Sequence, residues 1–146
     1  MDNYFLLFAH SLLRYGVVIA VAWAGFAHLR GFLGNRPILN GDRAVAIAAM
    51  VLCHIQLVIG LILYLINYST YNSMTGDVGR FWKMEHIGTM VIAIVLVTIG
   101  RVSSKKAKEE RVKQKRVAIF YLIALVLILW AIPWPLREVG HGRGWL

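Results

Sequence analysis

The fold class is decided by a run without Asp, Glu, Lys or Arg, AVAIAAMVLCHIQLVIGLILYLI, residues 44–66. An α-helix rises about 1.5 Å per residue, so a run of this length can cross about 30 Å of hydrocarbon. Further long apolar runs occupy residues 4–32, 81–100 and 117–133. None shows the alternation of apolar and polar residues that is typical of a membrane β-barrel. The sequence therefore predicts an all-α membrane protein with four transmembrane helices.

The composition agrees with this class. The chain has 146 residues, of which 59% are hydrophobic, and its mean hydropathy is +0.65. A soluble domain of this size could not bury so large an apolar fraction. Because the connecting segments are short, consecutive helices should be antiparallel neighbours. We predict a single domain over residues 1–146, an antiparallel up-down-up-down bundle of four transmembrane helices, with the lipid bilayer as its first partner.

The net charge of +9 is unevenly distributed along the chain. Basic residues are concentrated after the first and third apolar runs, at Arg30, Arg36, Arg43, Arg101, Lys105, Lys106, Lys108, Arg111, Lys113, Lys115 and Arg116. The positive-inside rule places these two segments in the cytoplasm. The sequence thus predicts a multi-pass membrane protein with both termini on the side opposite the cytoplasm, which in a bacterial inner membrane is the periplasmic side. Since topology accounts for the charge, we expect no nucleic-acid partner.

Three histidines lie inside the apolar runs and away from their cytoplasmic ends: His10, His54 and His86. Ionisable side chains at membrane depth are costly unless they face the bundle interior and have partners, so each indicates a functional site. His10 and His86 should lie nearly level on the first and third helices, which are diagonal in such a bundle. Two imidazoles facing each other across a central space are what bis-histidine ligation of haem iron requires. We therefore predict His10 and His86 as axial ligands of a non-covalent haem b.

Charged residues near these histidines fit a haem carboxylate. Arg14 is one helical turn from His10 and on the same face. Its guanidinium would pair with a haem propionate or with Glu85. Arg80 and Lys83 are further candidates to meet propionates at the membrane surface.

The other histidines have different expected roles. His54 lies near mid-membrane, where it could replace an axial ligand, contact haem or a quinone head group, or bond a neighbouring helix. His28 is five helical turns from His10 and should share its face at the cytoplasmic end, where we expect it at the interface, in contact with water and carbonyl groups. His141 lies in a glycine-rich tail and should be solvated or contact a partner.

Several stretches resemble a family of small bacterial four-helix membrane proteins labelled cytochrome B. They are His10-Ser11-Leu12-Leu13-Arg14-Tyr15, the run from His54 to Tyr64, Arg80-Phe81-Trp82-Lys83-Met84-Glu85-His86-Ile87, and Ile99-Gly100-Arg101. The resemblance implies a b-type haem within the bundle, with His10, His54 and His86 matching the family's histidines. Family members often have Ile-Gly-His at the end of the third helix, where this chain has Arg101.

Four functions are compatible with these features. Electron transfer by a membrane cytochrome, possibly as a subunit of a respiratory complex with redox protein partners or as a homo-oligomer, is the leading hypothesis. The alternatives are an accessory subunit without a cofactor, a quinone-reactive protein in which His54 and Glu85 move protons, and a copper or zinc site at His10, His54 and His86. No nucleophile arrangement, phosphate-binding loop or CxxC pair is present.

Overall fold

A computed structural model describes residues 3–140 of the chain. Its elements are, in chain order, α1 (Tyr4–Leu33), α2 (Asn40–Ile66), α3 (Tyr68–Ser73), α4 (Gly76–Arg80), a π-helical turn (Phe81–Glu85), α5 (His86–Lys106), α6 (Glu110–Ala131) and a 3-10 turn (Glu138–Gly140). The helix α4, the π-helical turn and α5 run on without a break, and we call Gly76–Lys106 the third span. Together with α1, α2 and α6 it makes four helices long and apolar enough to cross a membrane. The predicted fold class is confirmed.

The third and fourth spans differ from the predicted ones at both ends, and α2 begins at Asn40 instead of residue 44. The fourth helix begins at Glu110 and ends at Ala131, whereas we expected residues 117–133. The third span begins at Gly76 instead of residue 81 and continues to Lys106 instead of residue 100. The polar stretch between these spans is rich in helix-forming Lys, Arg and Glu, so helix continues from both sides and breaks only at residues 107–109.

The spans follow one another around the bundle. α1 packs against α2 and α6, α6 also packs against α5, and the contact between α2 and α5 is the loosest of the four. α1 and α5 are therefore diagonal, as predicted. The connections 34–39 and 107–109 lie at one end, which we call the basic end. The first and last described residues lie at the other end of the bundle, together with the connection between α2 and the third span. We call this end the terminal end.

The middle of the bundle is closely packed. Val21, Ala24, Ala49, Val97 and Ala124 have no exposed surface. Small side chains allow helices in lipid to approach one another closely, because packing and polar contacts replace the hydrophobic effect there. Toward the basic end, the buried Tyr121 hydroxyl donates a hydrogen bond to the Ala46 carbonyl oxygen at 2.7 Å, joining α6 to the diagonal helix α2. Larger empty spaces therefore occur toward the two ends of the bundle.

Candidate functional site

The terminal half of the bundle contains a cavity of about 360 Å³, which we call the central cavity. This volume falls within the range of small-molecule and cofactor sites. All four spans contribute to its wall, which is mainly apolar. Its polar and aromatic lining residues are His10, Ser11, Arg14, Cys53, Gln56, Tyr64, Tyr71, Trp82 and His86. The cavity therefore contains two of the three histidines that the sequence placed inside the membrane.

His86 is held in the wall by a bond to the end of α6. Its Nδ1 lies 2.8 Å from the Ala131 carbonyl oxygen. A carbonyl oxygen can only accept, so Nδ1 carries a proton, and in the neutral form of the ring the lone pair is on Nε2. Metal-ligating histidines commonly have this arrangement, in which a carbonyl fixes both the tautomer and the ring orientation.

The Ala131 carbonyl is available because prolines follow α6. A helical carbonyl normally accepts from the N–H four residues later, and Pro135 has no N–H. Pro133 has the same effect on the Leu129 carbonyl, which accepts from the Trp134 Nε1 at 2.9 Å. Arg137 Nη1 donates to the Trp130 carbonyl at 2.6 Å. The last carbonyl groups of α6 therefore accept hydrogen bonds from side chains, and the His86 side chain is one of these donors.

The π-helical turn immediately precedes His86. The His86 backbone N–H donates to the Phe81 carbonyl oxygen, five residues back instead of four. One extra residue in a turn rotates all later side chains around the helix relative to earlier ones, and such turns are frequent at functional sites. The His86 ring also contacts two buried aromatic rings of this turn, with centroids 5.9 Å from Phe81 and 5.6 Å from Trp82. The turn thereby positions His86.

His10 enters the cavity from α1 and packs against α2 at Gly60. A Cβ atom at Gly60 would lie 2.9 Å from His10 Cε1, which is too close for a carbon contact. Gln56 also joins the helices here, since its Nε2 donates to the His10 carbonyl oxygen at 2.8 Å. Within residues 3–140, the buried His10 Nδ1 has no hydrogen-bond partner. Because an unsatisfied buried nitrogen is costly, a bound group that engaged this ring would be favoured.

Arg14 also lines the central cavity, one turn from His10. Its Nη2 donates to the Tyr15 hydroxyl at 3.2 Å. The expected alternative partner, Glu85, instead pairs with Arg80 at 2.7 Å. Lys83 donates to the Met74 carbonyl oxygen at 2.9 Å. Of the cations that we expected near a propionate, the structure therefore places Arg14 in the cavity wall, and Arg80 and Lys83 outside it.

His54 is not brought together with His10 and His86. It is exposed on the outer surface of the bundle, where Nδ1 lies 2.7 Å from the Met50 carbonyl of its own helix and Nε2 lies 3.5 Å from Thr98 Oγ1. Its neighbour Cys53 is buried and lines the cavity instead, because successive helical residues are about 100° apart. In the part of the chain that the structure describes, no group of three His, Cys, Asp or Glu side chains could hold a metal ion. The structure does not bring together the three histidines of the copper or zinc alternative.

His28 is at the basic end, as expected, but its surroundings differ from the prediction. It is only 1% exposed, and its Nδ1 lies 2.8 Å from the Ala24 carbonyl oxygen. The predicted contact with a carbonyl is present, whereas the predicted exposure to water is not. The reason is that Arg101 and the start of α6 close over this end of α1, so that His28 lines a second, smaller cavity. His141 lies outside the described residues.

Sequence reasoning did not find Gln56 or the Ala131 carbonyl as parts of the site. A usable signal existed on α2, where Ala46, Ala49, Cys53 and Gly60 recur with helical spacing. In membrane helices, small residues are concentrated on the side that packs against other helices. His54 is not on the side of α2 that carries these small residues.

Comparison with known protein families, curated proteins and solved structures gives no match. The likeness to the cytochrome B family therefore remains an expectation drawn from the sequence stretches themselves.

Proposed function

We propose that the chain is a membrane b-type cytochrome, which transfers electrons through one haem b held in the central cavity. The observation that supports this most is that His10 and His86 line the same cavity from diagonal helices. Two such imidazoles can occupy opposite faces of a planar macrocycle.

The residues of the cavity fit a haem in three respects. His86 donates from Nδ1 to a carbonyl oxygen, an arrangement that is common among metal-ligating histidines. His10 carries a buried nitrogen that lacks a partner within the described residues. Arg14 supplies a guanidinium on the same wall as His10, suited to a propionate carboxylate. The apolar remainder of the wall would contact the porphyrin ring.

Electron transfer is the reaction class that such ligation favours. His10 and His86 would hold the haem iron through both imidazoles, and a bound haem would then supply reversible one-electron chemistry without a site for oxygen. The bundle excludes water and holds both rings in place. The positive charge of Arg14 would stabilise the reduced form of a haem bound in this cavity relative to the oxidised form.

The lateral wall of the cavity favours a second candidate, a quinone-reactive protein. Leu7 and Leu61 line the cavity yet are about 40% exposed, so the cavity wall reaches the surface that faces lipid. Gln56 Oε1 is buried without a partner within residues 3–140 and could accept a hydrogen bond from a quinol hydroxyl. His54 and Glu85, which we had expected to move protons, do not line this space.

Haem content distinguishes these proposals. The protein, purified in mild detergent from haem-replete cells, should contain about one haem b per chain in a pyridine haemochrome assay. A colourless protein that also fails to bind added haemin would contradict the cytochrome proposal. Ubiquinone or menaquinone in an organic extract of that colourless protein would support the second candidate. A protein with neither would favour an accessory subunit.

A further inference from the structure

The basic end of the bundle contains a second cavity, of about 170 Å³, which we call the basic cavity. It is far too small for a macrocycle but large enough for a phosphate group. His28, Arg43, Arg101, Lys105 and Lys113 contribute to its wall. No Asp or Glu lines it among residues 3–140.

Nearby carboxylates leave most of this charge without a counter-ion. Asp42 pairs with Arg36 at 2.8 Å, and Glu110 pairs with Lys113. In the described part of the chain, Arg43, Arg101 and Lys105 have no carboxylate within 4 Å. Three cations therefore line one cavity without a paired carboxylate. Water screens the exposed Arg43 and Lys105, and Glu110 attracts Arg43 from a longer distance, so a bound anion would relieve the repulsion that remains around the less exposed Arg101.

Arg101 gives independent support for a bound anion. Its Nε is buried and has no hydrogen-bond partner within residues 3–140. A guanidinium presents its N–H groups as a planar fork that matches two oxygens of a phosphate. A nitrogen of this fork that is removed from water and left unsatisfied is costly, and a phosphate oxygen would satisfy it.

We propose that the basic cavity is a binding site for a phosphate-bearing anion, with Arg101 as its central ligand and Arg43 and Lys105 as further cations. The two possible sources are the phosphodiester of an anionic lipid head group and free phosphate. A lipid head group fits the position of the cavity, where apolar helix gives way to the polar starts and ends of the spans. This site is independent of the haem proposal, because it is at the opposite end of the bundle.

The test measures ligand-dependent stability of the full chain in detergent. The midpoint of thermal unfolding is followed by circular dichroism while phosphatidylglycerol, phosphatidylcholine or inorganic phosphate is added, with chloride matched for ionic strength. A ligand that binds only the folded protein raises the midpoint with concentration. We expect stabilisation by phosphatidylglycerol and none by phosphatidylcholine. Stabilisation by inorganic phosphate alone would retain the site and assign it to free phosphate.

Matched variants test whether the residues of the basic cavity cause the stabilisation by the anion. The double variant Arg101→Gln/Lys105→Gln should bind phosphatidylglycerol at least about tenfold more weakly, since it loses charge-assisted bonds. The control Lys106→Gln/Lys108→Gln removes the same charge from exposed neighbours outside the cavity and should bind as the original protein does. If Arg101→Gln prevents folding, Arg43→Gln/Lys105→Gln replaces it, because both side chains belong to exposed residues. Equal loss in cavity and control variants, or no stabilisation by either anion, would overturn the proposal.

Discussion

His86 and Ala131 are joined by a hydrogen bond of 2.8 Å from the imidazole Nδ1 to the carbonyl oxygen. This bond connects the third span to the end of α6 and selects one tautomer of the ring. It exists because Pro135 cannot provide the N–H that the carbonyl would otherwise accept. A change at the end of α6 should therefore affect the position of a histidine in the central cavity.

Substitution of the cavity histidines tests their assignment as ligands. His10→Ala or His86→Ala should give high-spin or haem-free protein, because each removes one proposed axial bond. His54→Ala is the matched control. Its side chain is exposed on the bundle surface, so the optical spectrum should stay that of the original protein. Loss of haem in His54→Ala with unchanged spectra in the other two variants would show that the ligands are misassigned.

Gly60→Ala tests whether haem binding depends on the observed position of the His10 ring. The added Cβ would lie 2.9 Å from His10 Cε1, so the ring or α2 must shift. We expect haem affinity to fall by about tenfold or more, corresponding to about 1.4 kcal/mol. The measurement is a haemin titration of haem-free protein. Gly16→Ala, where a Cβ meets nothing within 4 Å, should bind as the original protein does. Equal affinities in all three proteins would remove Gly60 from the site.

Arg137→Ala should destabilise the end of α6. Arg137 donates to the Trp130 carbonyl and its guanidinium lies 5.4 Å from the Phe81 ring centroid. Loss of the bond and the ring contact should lower the free energy of unfolding by about 1 kcal/mol. The measurement is equilibrium unfolding in mixed detergent micelles. Glu138→Ala, at an exposed neighbouring position, is the control. If the two variants are equally stable, Arg137 does not stabilise the end of α6.

We predict the orientation of the chain in the membrane from the distribution of Lys and Arg. A reporter enzyme that is active only in the periplasm should be active when it is fused at either terminus. The same reporter inserted at residues 107–109 should be inactive, because that segment is expected in the cytoplasm. The insertion site is the break between α5 and α6, so it disturbs no helix. The reverse pattern would refute the assigned orientation, although both histidines would still line the same cavity.

The fold could be predicted from the sequence because long apolar runs leave few alternatives in a membrane. Backbone groups in lipid must be satisfied within the segment, so each run must be a helix. The diagonal placement of His10 and His86 followed from short connections. The first residue of α6 was harder to predict, because a Lys- and Arg-rich segment is equally compatible with loop and helix in water.

The orientation of His54 could not be predicted from hydrophobicity, and only the spacing of the small residues on α2 indicates it. In a soluble helix an apolar stripe identifies the buried side, but in lipid both sides of α2 are apolar. Successive residues of a helix point in directions about 100° apart. This angle is enough to place Cys53 at the cavity and the next residue, His54, on the outer surface. The π-helical turn before His86 has no sequence signature of its own, so the details of the third span required coordinates.

The most direct test of the central claim is the spectrum of the purified protein, first oxidised and then reduced with dithionite. If His10 and His86 ligate one haem, the optical bands should be those of six-coordinate low-spin haem b and should sharpen on reduction, and electron paramagnetic resonance of the oxidised form should show a low-spin ferric signal. A high-spin signal in the original protein, or no haem absorption after incubation with haemin, would contradict the account.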